Sequence, residues 1–122
     1  MNKLLISNVR LVNEGEIRDV DVFVEGDRIA RIDSSIRAPE GARVIDGGGK
    51  YLLPGMIDDQ VHFREPGLTH KGDLATESAA AAAGGITSFM DMPNVIPLTP
   101  TRQALADKSR MAANRCTGNY GC

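Results

Sequence analysis

A chain of 122 residues has room for one small domain or for part of a larger one. Its 42% hydrophobic and 25% charged residues exclude wholesale disorder, a collagen-like chain and a disulfide scaffold. The formal charge of −2 gives no basic excess for nucleic acid or an anionic membrane surface, and 4% aromatic residues leave little to stack on bases. The alanine run Ala79 to Ala83 is far short of the roughly 20 residues that cross a bilayer, so no membrane partner is expected. Met1 to Val12 lacks the long apolar core and cleavage site of a signal peptide. Cys116 and Cys122 match no zinc-ribbon or redox spacing, and a reducing cytoplasm is the expected location.

In chain order, residues 1–51 read as short strands. Leu4-Leu5-Ile6 and Val9 to Val12 are apolar and partly β-branched, and Asn13-Glu14-Gly15-Glu16 is a turn signal. Asp19 to Glu25 alternates in its first half, the period of a half-buried strand. Gly26-Asp27 signals a hairpin into Arg28 to Ile32, which alternates again. Pro39 and Gly41 mark a loop before one more short strand, Arg43 to Asp46. The sum is a small antiparallel β unit of about four strands. Gly47-Gly48-Gly49 before Lys50 lacks phosphate-loop spacing and precedes no helix, so it reads as a flexible turn.

The pattern changes near residue 51. Tyr51 to Ile57 leads into Asp58-Asp59-Gln60-Val61-His62-Phe63-Arg64, and Pro66-Gly67 marks a loop. Asp73 to Ala83 is rich in helix formers and is stopped by Gly84-Gly85. Ile86 to Met92 reads as a strand ended by Pro93. Thr99 is the expected N-cap, with Pro100 at the first helical position, ahead of a helix from Thr101 to Cys116. Strand, helix, strand, helix over residues 52–116 predicts a parallel α/β sheet.

Asp58, Gln60, His62 and Arg64 stand two apart, so a regular strand would project all four to one face and Val61 and Phe63 to the other. Four polar groups on one face are costly to bury unless they are paired or bind something; the alternative is an edge strand with a solvated face. Met92-Pro93-Asn94 lies just past the next strand. In a parallel α/β barrel the C-terminal strand ends build the active site, which would set Arg64 and Asn94 side by side. Read locally, Asn94 is otherwise an ordinary turn residue between Pro93 and Pro97.

The run from Pro54 to Gly67, with Asp58-Asp59-Gln60-Val61-His62-Phe63-Arg64-Glu65-Pro66-Gly67 at its heart, closely resembles a signature of dihydroorotases in the amidohydrolase superfamily. The usual form there is Asp-x-His-x-His-Phe-Arg-Glu-Pro-Gly. Ala83-Gly84-Gly85-Ile86-Thr87 and Met92-Pro93-Asn94 match the same family in order and spacing, and the resemblance runs over about residues 1–115. It implies an α/β fold in which 1–51 is an N-terminal β-sandwich segment and 52–122 holds the first two β/α units of a TIM-type (β/α)8 barrel. The barrel would be incomplete, since a full one takes roughly 250 residues.

The resemblance implies a zinc hydrolase that interconverts N-carbamoyl-L-aspartate and dihydroorotate in pyrimidine biosynthesis, with one or two zinc ions and a small-molecule substrate. His62 matches a ligand of the more buried zinc and lies beside the substrate. Arg64 matches the residue that grips the substrate carboxylate, and Asn94 a second hydrogen-bonding partner of it. Gln60 stands where the usual motif has a second His ligand, and an amide oxygen is the weaker zinc donor. The Asp expected as general acid/base lies beyond residue 122. The tail from Cys116 to Cys122 looks unlike a barrel continuation, as in a fragment inactive alone; the parent's oligomeric state, a homo-oligomer among the options, stays open.

Two enzyme alternatives share the fold and cyclic-amide chemistry. Allantoinases resemble this sequence around Phe63 but typically carry Asn in place of Arg64, and dihydropyrimidinase substrates have no ring carboxylate for an Arg to meet. A third alternative is a non-catalytic dihydroorotase-like subunit. Gln60 favours it, and the retained Arg64 and Asn94 count against it.

Overall fold

The computed structural model describes residues 2–122. They form two compact units, one ending at Pro54 and the other running from Gly55 to Cys122. No helix among the described residues is long and apolar enough to cross a membrane.

The first unit is a five-stranded sheet of β1 (Lys3–Asn13), β2 (Glu16–Glu25), β3 (Arg28–Asp33), β4 (Arg43–Asp46) and β5 (Tyr51–Leu52). The two apolar runs before residue 13 belong to one strand. They are separated by an irregularity between Ile6 and Val9, where Asn8 has a φ of 55°. Asp21 fastens that irregularity: one carboxylate oxygen accepts the Asn8 N–H at 2.8 Å and the other accepts the Ile36 N–H at 2.8 Å. Alternation then buries Val9, Leu11, Val20 and Val22 together. Glu14 and Gly15 both have positive φ, as a two-residue turn between right-twisted strands requires.

The sheet is not purely antiparallel, contrary to the sequence reading. β1–β2 and β2–β3 pair antiparallel, but β4 and β5 both run parallel to β1. Residues 34–42 carry the chain from β3 to the other edge of β1, so it re-enters in the direction of β1. The glycine run is the step from β4 to β5, and it is fixed rather than flexible. Gly47 donates to the Ser7 carbonyl at 2.7 Å and Gly49 to the Asn8 carbonyl at 2.8 Å. A Cβ on Gly47 would lie 2.2 Å from Val9 Cγ1, so the close approach of the two chains demands glycine there.

The second unit is a parallel sheet in the order β6 (Met56–Val61), β7 (Ile86–Asp91), β8 (Asn119–Gly121), with α1 (Leu74–Ala83) and α2 (Arg102–Ala112) in the connections. The α/β class and the parallel pairing follow the sequence reading. Asp73 caps α1, its carboxylate accepting the N–H groups of Ala75 and Thr76 at 2.8 and 2.9 Å. α2 starts later than expected. Thr101, not Thr99, is the N-cap: its backbone is extended and its hydroxyl accepts the Ala104 N–H at 3.2 Å. Thr99 is held in the loop by its own N–H, which reaches the Pro93 carbonyl at 3.3 Å.

The tail also differs from expectation. Asn119–Gly121 is a third parallel strand against β7, and Tyr120 packs edge-on to Phe89 at 6.1 Å between ring centroids. Asn and Gly are poor strand formers, so pairing with β7 rather than local propensity makes β8. Phe63, Leu74, Phe89 and Ala112 form the core of this unit, with Phe63 and Phe89 edge-on at 4.7 Å.

Candidate functional site

The side chains singled out by their spacing lie where β6 and β7 end. β6 carries one residue too many for its partner: Asp58 pairs with Phe89 and Val61 with Asp91. Three steps along β6 match two along β7, which is a bulge. Phe89 and Asp91 stand two apart and are both buried, so they share the covered face of the sheet. Asp58 and Val61 go with that face, and Gln60 and His62 with the other. The expectation that Asp58, Gln60, His62 and Arg64 share one face therefore fails for two of them. Asp58 instead accepts the Gln60 N–H at 3.0 Å, and the strand ends before Arg64 is reached.

Arg64 sits in the left-handed region with a φ of 71°. A non-glycine residue there costs roughly 1–2 kcal/mol, so its neighbours must hold it. They are well anchored. Phe63 is 5% exposed and donates its N–H to Asp91 Oδ1 at 3.0 Å. Glu65 is buried and accepts the Leu74 N–H at 3.0 Å, at the start of α1, while its other oxygen takes the Arg115 guanidinium. Arg64 itself is half-buried.

Asn94 meets His62 rather than Arg64: its Oδ1 lies 3.0 Å from His62 Nδ1. With the carbonyl oxygen of the amide facing the ring, His62 donates from Nδ1–H, and its Nε2 keeps a free lone pair. The Asn94 NH2 group remains available to another acceptor. Beside it the chain forms an open depression lined by Pro93, Asn94, Leu98, Thr99 and Pro100. Gln60 is exposed on the same side of β6 as His62. Among the described residues, no group of three or more His, Cys, Asp or Glu side chains is placed to hold a metal ion.

Four residues that the spacing argument passed over hold this arrangement. Asp91 and Lys108 form a fully buried ion pair at 2.9 Å, and Lys108 Nζ also donates to the Met92 carbonyl at 2.8 Å. Met92 N–H in turn reaches the Val61 carbonyl at 2.9 Å, which ties the two strand ends together. Glu65 and Arg115 make the second pair. A signal for Lys108 was present: Ala104, Lys108 and Ala112 recur every four residues, so a lysine sits on the small-residue face that a helix buries. The Tyr120 hydroxyl donates toward Asp91 at 3.4 Å, and burial pushes its phenol well above the usual range, with Cys122 and Asp91 adding to that. Burial likewise raises the Cys116 thiol.

Residues 49–117 match the family model described as dihydro-orotase-like. A dihydroorotase from Pediococcus pentosaceus is 39% identical over 122 residues, covering 98% of this chain and 28% of that protein. A dihydroorotase from Methanosarcina acetivorans is 37% identical over 121 residues, covering 99% of this chain and 26% of that protein. The chain thus spans about a quarter of the length of these curated relatives. The L-hydantoinase (dihydropyrimidinase) structure from Arthrobacter aurescens superposes with a TM-score of 0.91 at 31% identity, over 98% of this chain and 27% of that one.

Proposed function

The chain belongs to the dihydro-orotase-like family, and we propose that it supplies the first part of a cytoplasmic, zinc-dependent dihydroorotase, an enzyme that interconverts N-carbamoyl-L-aspartate and dihydroorotate. In this reading residues 1–51 are the β-sandwich segment and residues 52–122 open the (β/α)8 barrel. The observation that carries it is the His62–Asn94 hydrogen bond two residues from Arg64, whose backbone takes a positive φ between the anchored neighbours Phe63 and Glu65. The bond fixes the imidazole tautomer that leaves Nε2 for a metal, the usual state of a metal-ligating histidine. Asn94 keeps its NH2 group to donate to a carboxylate, and Arg64 offers a planar fork of donors to the same group.

The donor set fits part of a zinc site. His62 Nε2 is a good zinc ligand, and the Gln60 amide oxygen on the same side of β6 is a second, weaker one. Two donors do not complete a tetrahedral site, and in this reading the remaining ligands and the acid/base Asp come from the rest of the barrel. When bound, zinc would act as a Lewis acid toward the ring carbonyl of the substrate. This chain's residues would orient that substrate: Arg64 and Asn94 hold its carboxylate and so decide which ring face meets the metal.

Arg64 separates this reading from that of a hydantoinase or dihydropyrimidinase, whose rings leave the guanidinium without a partner. Gln60 is the one observation that favours a non-catalytic subunit. A chimaera decides among the three. This chain replaces the matching N-terminal segment of the Pediococcus pentosaceus dihydroorotase, and zinc content and turnover are measured. Zinc-dependent conversion of dihydroorotate, with little activity on a cyclic ureide that lacks a carboxylate, is the expected result. Preference for the carboxylate-free ring would overturn it in favour of the hydantoinase reading. A folded, zinc-loaded but inert chimaera would point to the non-catalytic one.

A further inference from the structure

Asp91 and Lys108 are both almost wholly removed from solvent, their side chains 0% and 1% exposed. A buried ion pair is a poor source of net stability, because desolvating both charges offsets their attraction. Its contacts are more informative than its energy. Asp91 Oδ1 accepts the N–H of Phe63, the residue between His62 and Arg64, at 3.0 Å. Asp91 Oδ2 holds Lys108 Nζ at 2.9 Å, and Lys108 Nζ donates to the carbonyl of Met92, two residues before Asn94, at 2.8 Å. One charged pair therefore grips both segments whose side chains meet in the 3.0 Å His62–Asn94 bond.

We propose that Asp91 and Lys108 are positioning residues: their buried pair sets the His62 segment against the Asn94 segment, and so selects the His62 tautomer with Nδ1 protonated and Nε2 free. The use of that tautomer for a metal rests on the functional reading above; the positioning itself does not. Apolar packing is non-directional, and the backbone bonds from Met92 N–H to the Val61 carbonyl at 2.9 Å and from Ile96 N–H to the Pro66 carbonyl at 3.1 Å join the segments on either side of His62 and Asn94 without reaching the Phe63 N–H or the Met92 carbonyl. Fixing a side-chain hydrogen bond between two exposed residues needs directional contacts on the backbone of each.

The test reads the two ring nitrogens of His62 by nitrogen-15 NMR in the 122-residue chain, with His70 as the internal reference. Asn94→Ala removes the acceptor directly and defines the released state. Lys108→Met is expected to lower the ratio of Nδ1–H to Nε2–H forms by about fivefold, the change that loss of one ordinary hydrogen bond allows. It should move His62 toward the Asn94→Ala spectrum and leave His70 unchanged. Leu74→Ala, which cuts into the core of the same unit without touching the Phe63 N–H or the Met92 carbonyl, should leave the ratio as it is. The paired substitution Asp91→Asn with Lys108→Met leaves no buried charge and keeps an acceptor for Phe63, so it should fold even if Lys108→Met does not. It should shift the ratio in the same direction.

A wild-type ratio in either folded variant would overturn the proposal, as would an equal shift in Leu74→Ala. Loss of the fold in the neutral pair would also overturn it, since the two residues would then serve stability instead of position. The functional reading fails separately, by the substrate preference of the chimaera.

Discussion

The two units close small sheets by opposite means. The first packs Val9, Leu11, Val20 and Val22 and keeps its charged groups at the surface. The buried polar or charged side chains among the described residues, Glu65, Ser78, Asp91 and Lys108, all belong to the second. Aliphatic burial is proportional to area and indifferent to direction, so it sets which strands associate but not where a neighbouring loop points. Charged hydrogen bonds are directional and stronger than neutral ones. The second unit places them at the ends of β6 and β7, beside the His62–Asn94 hydrogen bond. Buried charge in this chain therefore marks where position matters more than stability.

The largest expected effect follows from breaking that charge. Lys108→Ala leaves Asp91 buried and unpaired and should destabilise the second unit by about 3–5 kcal/mol. Amide exchange should show lost protection in β6 and β7 and retained protection in β1 and β2; a uniform small loss would erase the contrast between the units. Next, Arg64→Lys in the chimaera keeps the charge but gives up the bidentate fork. A loss on the order of 2–3 kcal/mol in kcat/KM for dihydroorotate is expected from charged hydrogen bonds of ~1.5–3 kcal/mol, at an unchanged Tm. An unaltered kcat/KM would remove Arg64 from the site.

In the first unit the sensitive feature is packing. Gly47→Ala forces a methyl against Val9 and should cost about 1–3 kcal/mol by chemical denaturation, while a site-directed readout such as the His62 tautomer stays put. Gln60→His sharpens the register of β6. If the bulge sets residue 60 on the His62 side, imidazole should raise zinc affinity in the chimaera against a competing chelator, because it is the better zinc donor. Equal or weaker binding would place residue 60 elsewhere.

The smallest effect is a pH dependence at α1. Hydrogen bonds from the Thr76 and Ala75 amides lower the Asp73 carboxyl below its ordinary 3.8, aided by the Thr76 hydroxyl and Arg115. A carboxylate lowered by folding adds stability above its unfolded pKa and loses it as pH falls through the folded value. The first turn of α1 should therefore lose amide protection, measured against the intrinsic exchange rate at each pH, as the pH falls below 3.8, and Asp73→Asn should flatten that dependence.

Local residue order alone determined a good deal of this protein. Period-two alternation marked β2 and β3, helix formers closed by Gly84-Gly85 marked α1, and the spacing of Gln60, His62, Arg64 and Asn94 drew attention to the stretch where β6 and β7 end. These features are legible because each rests on neighbours within a few residues. Contacts between distant residues decided the rest. Pairing with β1 turned residues 43–52 parallel, and pairing with β7 made a strand of Asn119–Gly121. A bulge against β7 moved Asp58 off the face of His62, and the Asp91–Lys108 pair brought two loops to one hydrogen bond. No local pattern could show these, because the register of a strand and the partner of a buried charge are set by whichever long-range contact best offsets the loss of water.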